Sequence, residues 1–433
     1  MAKEQFTKTI LAESTMRGHN KTTMAQPKVL DLFAGAGGFS LGFHWADFRT
    51  AVAIDHSAVA VETLEGNFSG HGIKALVRDL ASFTPRDLET YLRKHEEPAS
   101  FDVIVGGPPC QGWSSVGRGK MRSLRTLGGR RQEDSDPRNE LYKNFLEYVR
   151  HFRPRVAVME NVPGMLSHNG NNVALDVAES LDAVGYTVTW DRLNASEFGV
   201  PQVRERLIFV GVRKDLNIAF EFPKSRTARD RRLYPEVTVR DAIGDLPIIR
   251  NGAREWVRDY KTEASKLSDF AKKMRRGADR DAIFDHVCRT QNDQDLEAFR
   301  TLREGGRYVD LPKRLKRYRD DIFKDKYKKL KWDAPSWTVT AHLSRDCYTH
   351  IHPSQTRTIS VREAARLQSF PDCFYFAGGM GTKFQLIGNA VPPLLAERIA
   401  TALREQVFER PAHPAAGHVE AATTSRALEL TIS

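Results

Sequence analysis

The sequence has no apolar run approaching the roughly 20 residues that cross a bilayer, which excludes a protein spanning the membrane by helices. Residues 1–27 mix Lys, Glu, Thr, Arg and His without a continuous apolar stretch or small-residue cleavage site, so they read as a polar tail rather than a secretory signal. Cysteine is scarce. Cys110, Cys288, Cys347 and Cys373 lie too far apart for a paired-spacing metal motif or a disulfide framework, and reduced thiols in the cytoplasm are expected, with no metal. Also missing are the GxGxxG spacing of dinucleotide binders and the terminal Gly-Lys-Ser/Thr of a phosphate loop, which counts against a nicotinamide-dependent oxidoreductase. There is no internal repeat.

What is present is a chain of 433 residues, long enough for two apolar cores, with 40% hydrophobic and 28% charged residues as in ordinary globular proteins. The formal charge of +11 favours a polyanionic partner without proving one. Short apolar segments at 28–33, 50–54, 101–105, 156–159 and 207–210 read as strands, and they alternate with helical stretches after 39, over 58–68 and around Leu141, Phe145 and Val149. This alternation predicts an α/β fold with a parallel sheet, helices on both faces, and ligands at the carboxyl ends of the strands. From about 213 to 357 the alternation fades and the composition turns basic and aromatic, as in Arg314-Leu315-Lys316-Arg317-Tyr318-Arg319, predicting a second domain whose charge runs either contact a phosphate backbone or are solvated faces. Helical pattern returns over 361–367 and 391–406, and the stretch beyond Pro411 reads as a flexible tail.

Three local patterns carry chemistry. Asp31-Leu32-Phe33-Ala34-Gly35-Ala36-Gly37-Gly38-Phe39 puts three glycines between a strand and a helix, where backbone approaches a ligand closely; Asp55 and Asp79 follow at later strand ends, where a carboxylate can accept hydrogen bonds from a ribose. A structural turn with helix-capping acids fits the same residues. Gly106-Gly107-Pro108-Pro109-Cys110-Gln111-Gly112-Trp113-Ser114 sets a lone cysteine just beyond a strand among turn residues, whereas a packing thiol belongs in an apolar periodic segment, so Cys110 reads as a nucleophile. Residues 115–137 then scatter Arg118, Lys120, Arg122, Arg125, Arg130 and Arg131 among glycines and serines, either a basic loop able to close over phosphates or a solvated insertion.

Taken with Glu160-Asn161-Val162, Gln202-Val203-Arg204-Glu205-Arg206, Arg362-Glu363-Ala364-Ala365-Arg366-Leu367-Gln368-Ser369-Phe370-Pro371 and Gly388-Asn389-Ala390-Val391-Pro392, the first two patterns resemble, in order, the motif series of DNA cytosine-5 methyltransferases. The resemblance spans about 28–404 and is weakest between about 213 and 335. It implies a Rossmann-like S-adenosylmethionine-dependent methyltransferase domain over 28–234, completed by 385–410, with a smaller target-recognition domain and hinge over 235–370 and a tail over 411–433.

The resemblance also implies roles. Carbon 5 of cytosine is a poor nucleophile until a thiolate adds at carbon 6, and Cys110 matches that thiol. Glu160 matches the acid that supports ring nitrogen 3, Arg206 the arginine on the cytosine carbonyl, and Arg204 a neighbour aimed at the active site or a phosphate. Side chains two apart on a strand share a face, so Arg204 and Arg206 are both expected in the cleft. Without the resemblance, Glu160 reads equally as a helix cap and the arginines as surface ion pairs. For S-adenosyl-L-methionine the resemblance implies a pocket of Phe33 against adenine, Ala34, Gly35, Gly37 and Gly38 at the turn, Asp55 on the ribose, His56, Asp79 on the adenine amino group, Leu80, Pro109, and Asn389 with Val391 as its closure. Asp55 stands where many members have Glu, and His56 where relatives often have an aromatic. Ser114, Arg118 and Gln202 are expected to contact DNA.

The expected substrate is double-stranded DNA with its target cytosine flipped out, since a stacked base cannot present carbon 6 to a thiolate. A nucleoid-associated monomer is expected, with a cognate restriction endonuclease left open as a partner at the same site. RNA remains a rival substrate, opposed by the sizeable 235–335 segment; a non-catalytic DNA-binding module remains a rival function, opposed by the joint presence of Cys110 and Glu160.

Overall fold

A computed structural model describes residues 25–109, 140–167, 173–225, 236–278, 282–317 and 326–409. Cys110, Ser114, Arg118 and the rest of the basic 115–137 loop lie outside the described residues, as do 1–24 and 410–433.

In chain order the first half contains β1 (Lys28–Leu32), α1 (Gly38–Trp45), β2 (Arg49–Asp55), α2 (Ala58–Phe68), β3 (Lys74–Val77), α3 (Pro85–Lys94), β4 (Val103–Gly106), α4 (Leu141–Phe152), β5 (Val156–Asn161), α5 (Val173–Ala183), β6 (Tyr186–Asn194) and β7 (Glu205–Arg213). All seven strands form one sheet in the order β3-β2-β1-β4-β5-β7-β6. The two-residue period of the strands sends Val29, Val103, Val105, Val156 and Val158 into one apolar cluster and Leu30, Leu32, Ile104, Ala157 and Met159 into the other. Residues of α1 and α2 cover the first face and those of α3, α4 and α5 the second. Burying each large side chain contributes about 1.5–3 kcal/mol, and β4 and β5 are buried along their whole length. Local signals start the helices: Ser57 caps α2, and Thr84 with Asp87 forms a capping box ahead of α3, with Pro85 in its first turn.

The expectation of a parallel sheet holds for β1 through β5 and fails at β7, which is antiparallel to both β5 and β6. The connection between β6 and β7, residues 195–204, is too short for the helical crossover that parallel neighbours need. The reversal has a functional consequence. It brings the start of β7 to the edge where β1, β4 and β5 end, with Asn161 opposite Leu207 and Glu160 opposite Ile208.

The second half contains α6 (Val239–Ile243), β8 (Val257–Asp259), α7 (Asp269–Met274), β9 (Ala282–Phe284), α8 (Asp293–Thr301), α9 (Val361–Leu367), α10 (Met380–Asn389) and α11 (Pro393–Leu403). It does not form one separate core. Val239, Ile243, Phe270, Met274, Val287, Leu330 and Val339 join the cluster on the first face of the large sheet, whereas Phe299, Leu302, Tyr308, Leu311, Leu315, Tyr327 and Ile351 make a cluster of their own. The last helix, expected from 391, starts at Pro393, a residue that favours the first helical turn. Helix α11 crosses α1 at Gly42, where an added β-carbon would stand 2.4 Å from Ala396 Cβ and 2.5 Å from the Pro393 carbonyl oxygen.

Candidate active site

Four strand ends meet at the edge that β7 joins. After β1 the chain turns at Phe33, whose φ of 56° is uncommon for a residue with a side chain. Such backbone strain concentrates at ligand sites. The Ala34 N–H donates to the Ile54 carbonyl at 3.0 Å, and the Gly35 N–H donates to Asp55 Oδ2 at 2.9 Å. Asp55 Oδ1 accepts from the Ser57 N–H at 2.9 Å and lies 3.3 Å from Nδ1 of the exposed His56. The Asp55 carboxylate therefore holds the glycine turn to β2 and keeps lone pairs for a further donor. At Gly38, a β-carbon would stand 2.0 Å from the Val391 carbonyl oxygen, so only glycine lets the turn meet the segment between α10 and α11. Asp79 and Asn389 are exposed, Leu80 is buried in the second cluster, and Asp79 Oδ1 accepts from the Ala81 N–H at 2.9 Å.

Asp31, part of the glycine motif but given no role by sequence reasoning, belongs to this site. It is buried in β1, its Oδ2 accepts from Ser40 Oγ at 2.6 Å, and its Oδ1 has no hydrogen-bond partner among the described residues. Burial pushes its carboxyl up to about 7, against the smaller pull of the Ser40 hydrogen bonds. The available signal was an acid inside the apolar run Lys28-Val29-Leu30-Asp31-Leu32-Phe33.

At the neighbouring strand ends, Arg206 Nε pairs with Glu160 Oε1 at 2.7 Å, both side chains being mostly buried. The other carboxylate oxygen, Oε2, lies 3.1 Å from where a β-carbon on Gly107 would stand, and Asn161 Nδ2 donates to the Pro108 carbonyl at 3.4 Å. The Gly107–Pro109 run, with Pro109 exposed, thus passes directly beside Glu160.

Two expectations from the Gln202–Arg206 motif need correction. Arg204 does not share the cleft with Arg206: it precedes β7, is fully buried, and donates to the carbonyls of Val339 at 2.7 Å, Gly388 at 3.2 Å and Ala390 at 3.0 Å. Burial, reinforced by neighbouring Arg206, pushes its guanidinium well below the usual range. Gln202 is not presented to DNA: its Nε2 donates to the Leu367 carbonyl at 2.9 Å and to Gln368 Oε1, and its Oε1 accepts from the Val339 N–H at 2.8 Å. The strand periodicity invoked for this pair begins only at Glu205, and nothing in a single sequence marks that boundary.

The basic runs of the second half are also partly committed internally. Arg314 pairs with Glu297, Arg317 with Asp295 at 2.7 Å, and Lys326 with Asp346.

A family model for C-5 cytosine-specific DNA methylases matches residues 27–405, the whole span that carries these strand ends. The chain belongs to that family. The enzyme is a DNA (cytosine-5-)-methyltransferase of the restriction-modification type. It is 34% identical over 374 residues to the type II methyltransferase M1.HphI of Haemophilus parahaemolyticus, covering 86% of each chain. Over 446 residues it is 32% identical to the type II methyltransferase M.AgeI of Thalassovita gelatinovora, covering 87% of this enzyme and 99% of the relative. A crystal structure described as a prophage-encoded DNA modification methyltransferase of E. coli superposes with a TM-score of 0.68 at 26% identity, covering 89% of the enzyme and all of that chain. The fold is thereby a Rossmann-like methyltransferase fold, as expected, and none of the described helices is long and apolar enough to cross a membrane.

Proposed function

We propose that this methyltransferase acts on a cytosine flipped out of a specific double-stranded DNA sequence, by a covalent adduct of Cys110 and with S-adenosylmethionine as methyl donor. The observation that carries the reading is the Glu160–Arg206 pair beside the Gly107–Pro109 run that leads into Cys110. In the proposed reaction the Cys110 thiolate adds to carbon 6, and the displaced electron pair makes carbon 5 nucleophilic. Glu160 supplies a hydrogen bond or proton at ring nitrogen 3, and Arg206 meets the carbonyl at carbon 2, so charge pushed into the ring is received. After methyl transfer, loss of the carbon 5 proton, to water in this reading, lets the thiolate leave.

The donor's chemistry is an electrophilic methyl on a sulfonium. Four features suit its binding at the β1 turn. Phe33 is half-exposed, its strained backbone turning at the strand end. Asp31 Oδ1 is a buried acceptor with no partner among the described residues and fits an ammonium group. The Gly38–Val391 approach closes the turn from the other side, and Asp55 and Asp79 offer carboxylates to the nucleoside. Recognition of DNA belongs in this reading to 235–370, with Ser114 and Arg118 from the neighbouring loop; the separately packed cluster around Phe299 and Tyr327 is the best candidate for a recognition unit. A monomer, with a cognate endonuclease cutting the same site, completes the proposal.

The test is trapping on duplex DNA containing 5-fluorocytosine in the presence of S-adenosylmethionine. The wild type should form a denaturation-resistant adduct and Cys110→Ser none. An adduct formed equally by the serine variant, or incorporation of methyl groups into transfer RNA but not duplex DNA, would overturn the reading.

A further inference from the structure

Three separate parts of the chain converge on residues 201–204. From the second half, residues 336–339 run beside them: the Val203 N–H donates to the Ser336 carbonyl at 2.8 Å, the Ser336 N–H to the Pro201 carbonyl at 2.9 Å, and Thr338 Oγ1 to the Val203 carbonyl at 2.8 Å. From the end of α9, Gln368 meets Gln202, and its Nε2 donates to the carbonyls of Ile387 at 3.0 Å and Ala390 at 2.6 Å. From the end of α10 come Gly388 and Ala390, whose carbonyls accept from Arg204 Nη2 while Val339 accepts from Nη1. The next residue after Ala390 is Val391, whose carbonyl meets the glycine turn at Gly38.

We infer that Arg204 is a positioning residue that sets the affinity of the methyl-donor pocket from the substrate side, by tying the 388–391 segment to the start of β7, which carries Arg206, and to residues 336–339. The inference rests on the proposed placement of the donor at the Gly38–Val391 approach. Arg204 touches neither the donor nor the cytosine in this scheme. Its guanidinium is rigid and planar with donors fixed in a fork, so carbonyls bound on its two terminal nitrogens are held at a fixed separation. Among the described residues no carboxylate pairs with it. A buried cation held only by carbonyl dipoles stabilises a fold poorly for the desolvation it requires, whereas it fixes the spacing of three backbones well. Gln368 holds the same Ala390 carbonyl from a second direction, so the two side chains act on one element.

The experiment measures equilibrium binding of S-adenosylhomocysteine to the full chain by calorimetry, without DNA, beside a thermal melt of each variant. Arg204→Met should weaken binding at least 20-fold and Arg204→Lys, which keeps charge and length but not the fork, about 5-fold. Val210→Ala, a cavity in the middle of β7, should lower the melting temperature yet leave binding within twofold. Gln368→Leu should weaken binding, and combined with Arg204→Lys it should weaken it by less than the product of the two single effects, since side chains sharing one partner are coupled. Should Arg204→Met fail to fold, the lysine variant and its double mutant carry the test alone. A folded Arg204 variant that binds within twofold of the wild type overturns the inference, as does a double mutant whose effects simply multiply. A wild-type chain that binds no S-adenosylhomocysteine overturns the functional reading and the inference together, and is told apart from the other outcomes by that fact.

Discussion

The two halves of the molecule are held together by different physics. In the sheet half the interior is apolar: β4 and β5 are buried throughout, and Val103, Val105, Val156 and Val158 face one cluster while Ile104, Ala157 and Met159 face the other. Around α9, in contrast, a web of buried charges threads the apolar cluster. Arg366 pairs with Asp245 at 2.6 Å and with Asp372 at 2.6 Å, Arg357 is bidentate on Glu363 at 2.7 Å, Lys383 pairs with Asp285 at 2.7 Å, and all these side chains are buried. Arg362 donates to the carbonyls of Phe284, Pro371 and Phe374 at 3.0–3.1 Å. Apolar packing is tolerant of a small sideways slip, whereas a bidentate ion pair is not. The buried pairs therefore fix orientation alongside the apolar contacts that Val361, Ala365, Leu367, Phe370 and Phe374 make in the shared cluster, and in the proposed mechanism that orientation sets where DNA lies relative to Glu160 and Arg206. Breaking a buried pair is expensive because the surviving charge is stranded.

The sharpest way to break the comparison is Arg366→Met. It leaves Asp245 and Asp372 in the interior with Arg275 and Tyr260 as their remaining side-chain hydrogen-bond partners among the described residues, and should cost about 3–5 kcal/mol. Denaturant unfolding should register it, and hydrogen exchange should show 239–287 and 360–374 opening before the sheet does. A loss below about 1 kcal/mol would mean that the web is ornament. In the apolar half, Leu207→Ala should cost about 2–5 kcal/mol through transfer and cavity terms, with protection lost evenly across the sheet.

Titration sharpens the contrast, because two buried groups respond to pH in opposite directions. Asp31, raised by burial to about 7, takes up a proton on folding between its unfolded value near 4 and about 7. Its cost to stability therefore grows as pH rises through that window and is complete above it. Asp31→Asn should raise the melting temperature of the cofactor-free chain at pH 8, by an amount that shrinks steadily toward pH 5. His352 goes the other way. Burial drives it down to about 3, with Arg357 and His286 adding to the fall and Glu363 opposing it, so the unfolded chain binds the extra proton below about pH 6.5. Stability is full above that pH and falls as the solution is acidified. His352→Gln should flatten the melting curve's pH dependence between 6.5 and 4; an unchanged slope would show that His352 is already accessible to protons. The smallest effect is expected at the surface, where Arg240→Ala removes an exposed pair with Asp333 and should leave the melting temperature unchanged within error.

Much of the site was legible without coordinates. Alternating apolar segments placed strands whose ends are where ligands bind, while the roles of Glu160 and Arg206 came from the resemblance of their motifs to a known series, their local pattern alone reading equally as a helix cap and a surface ion pair. The residues misread share a cause. Gln202 and Arg204 are polar side chains in a short irregular stretch, and polarity in a loop ordinarily signals solvent or ligand. Their partners are backbone carbonyls and amides from residues 135 to 186 positions away, and backbone groups carry no signature in a sequence. The motif running from Arg362 to Pro371 was recognised as part of a series, yet its arginines are internal struts, Arg362 on backbone carbonyls and Arg366 on the carboxylates of Asp245 and Asp372.

Composition and local pattern by themselves determined the class of fold and several of the first half's strands and helices, though not β3, α3, α5 or β6, while the residues of the proposed chemical centre were read from the resemblance of their motifs to a known series. Those properties follow from periodicity, turn chemistry and the identities of a few side chains, which are local quantities. Only the tertiary structure decided that β7 runs backwards and so delivers Arg206 to Glu160, that Asp31 is a buried acid with one oxygen lacking a partner among the described residues, and that Arg204 is held by backbone carbonyls while Arg206 pairs with Glu160. Each of these depends on which distant backbone a side chain meets, and that is settled by packing across the whole chain.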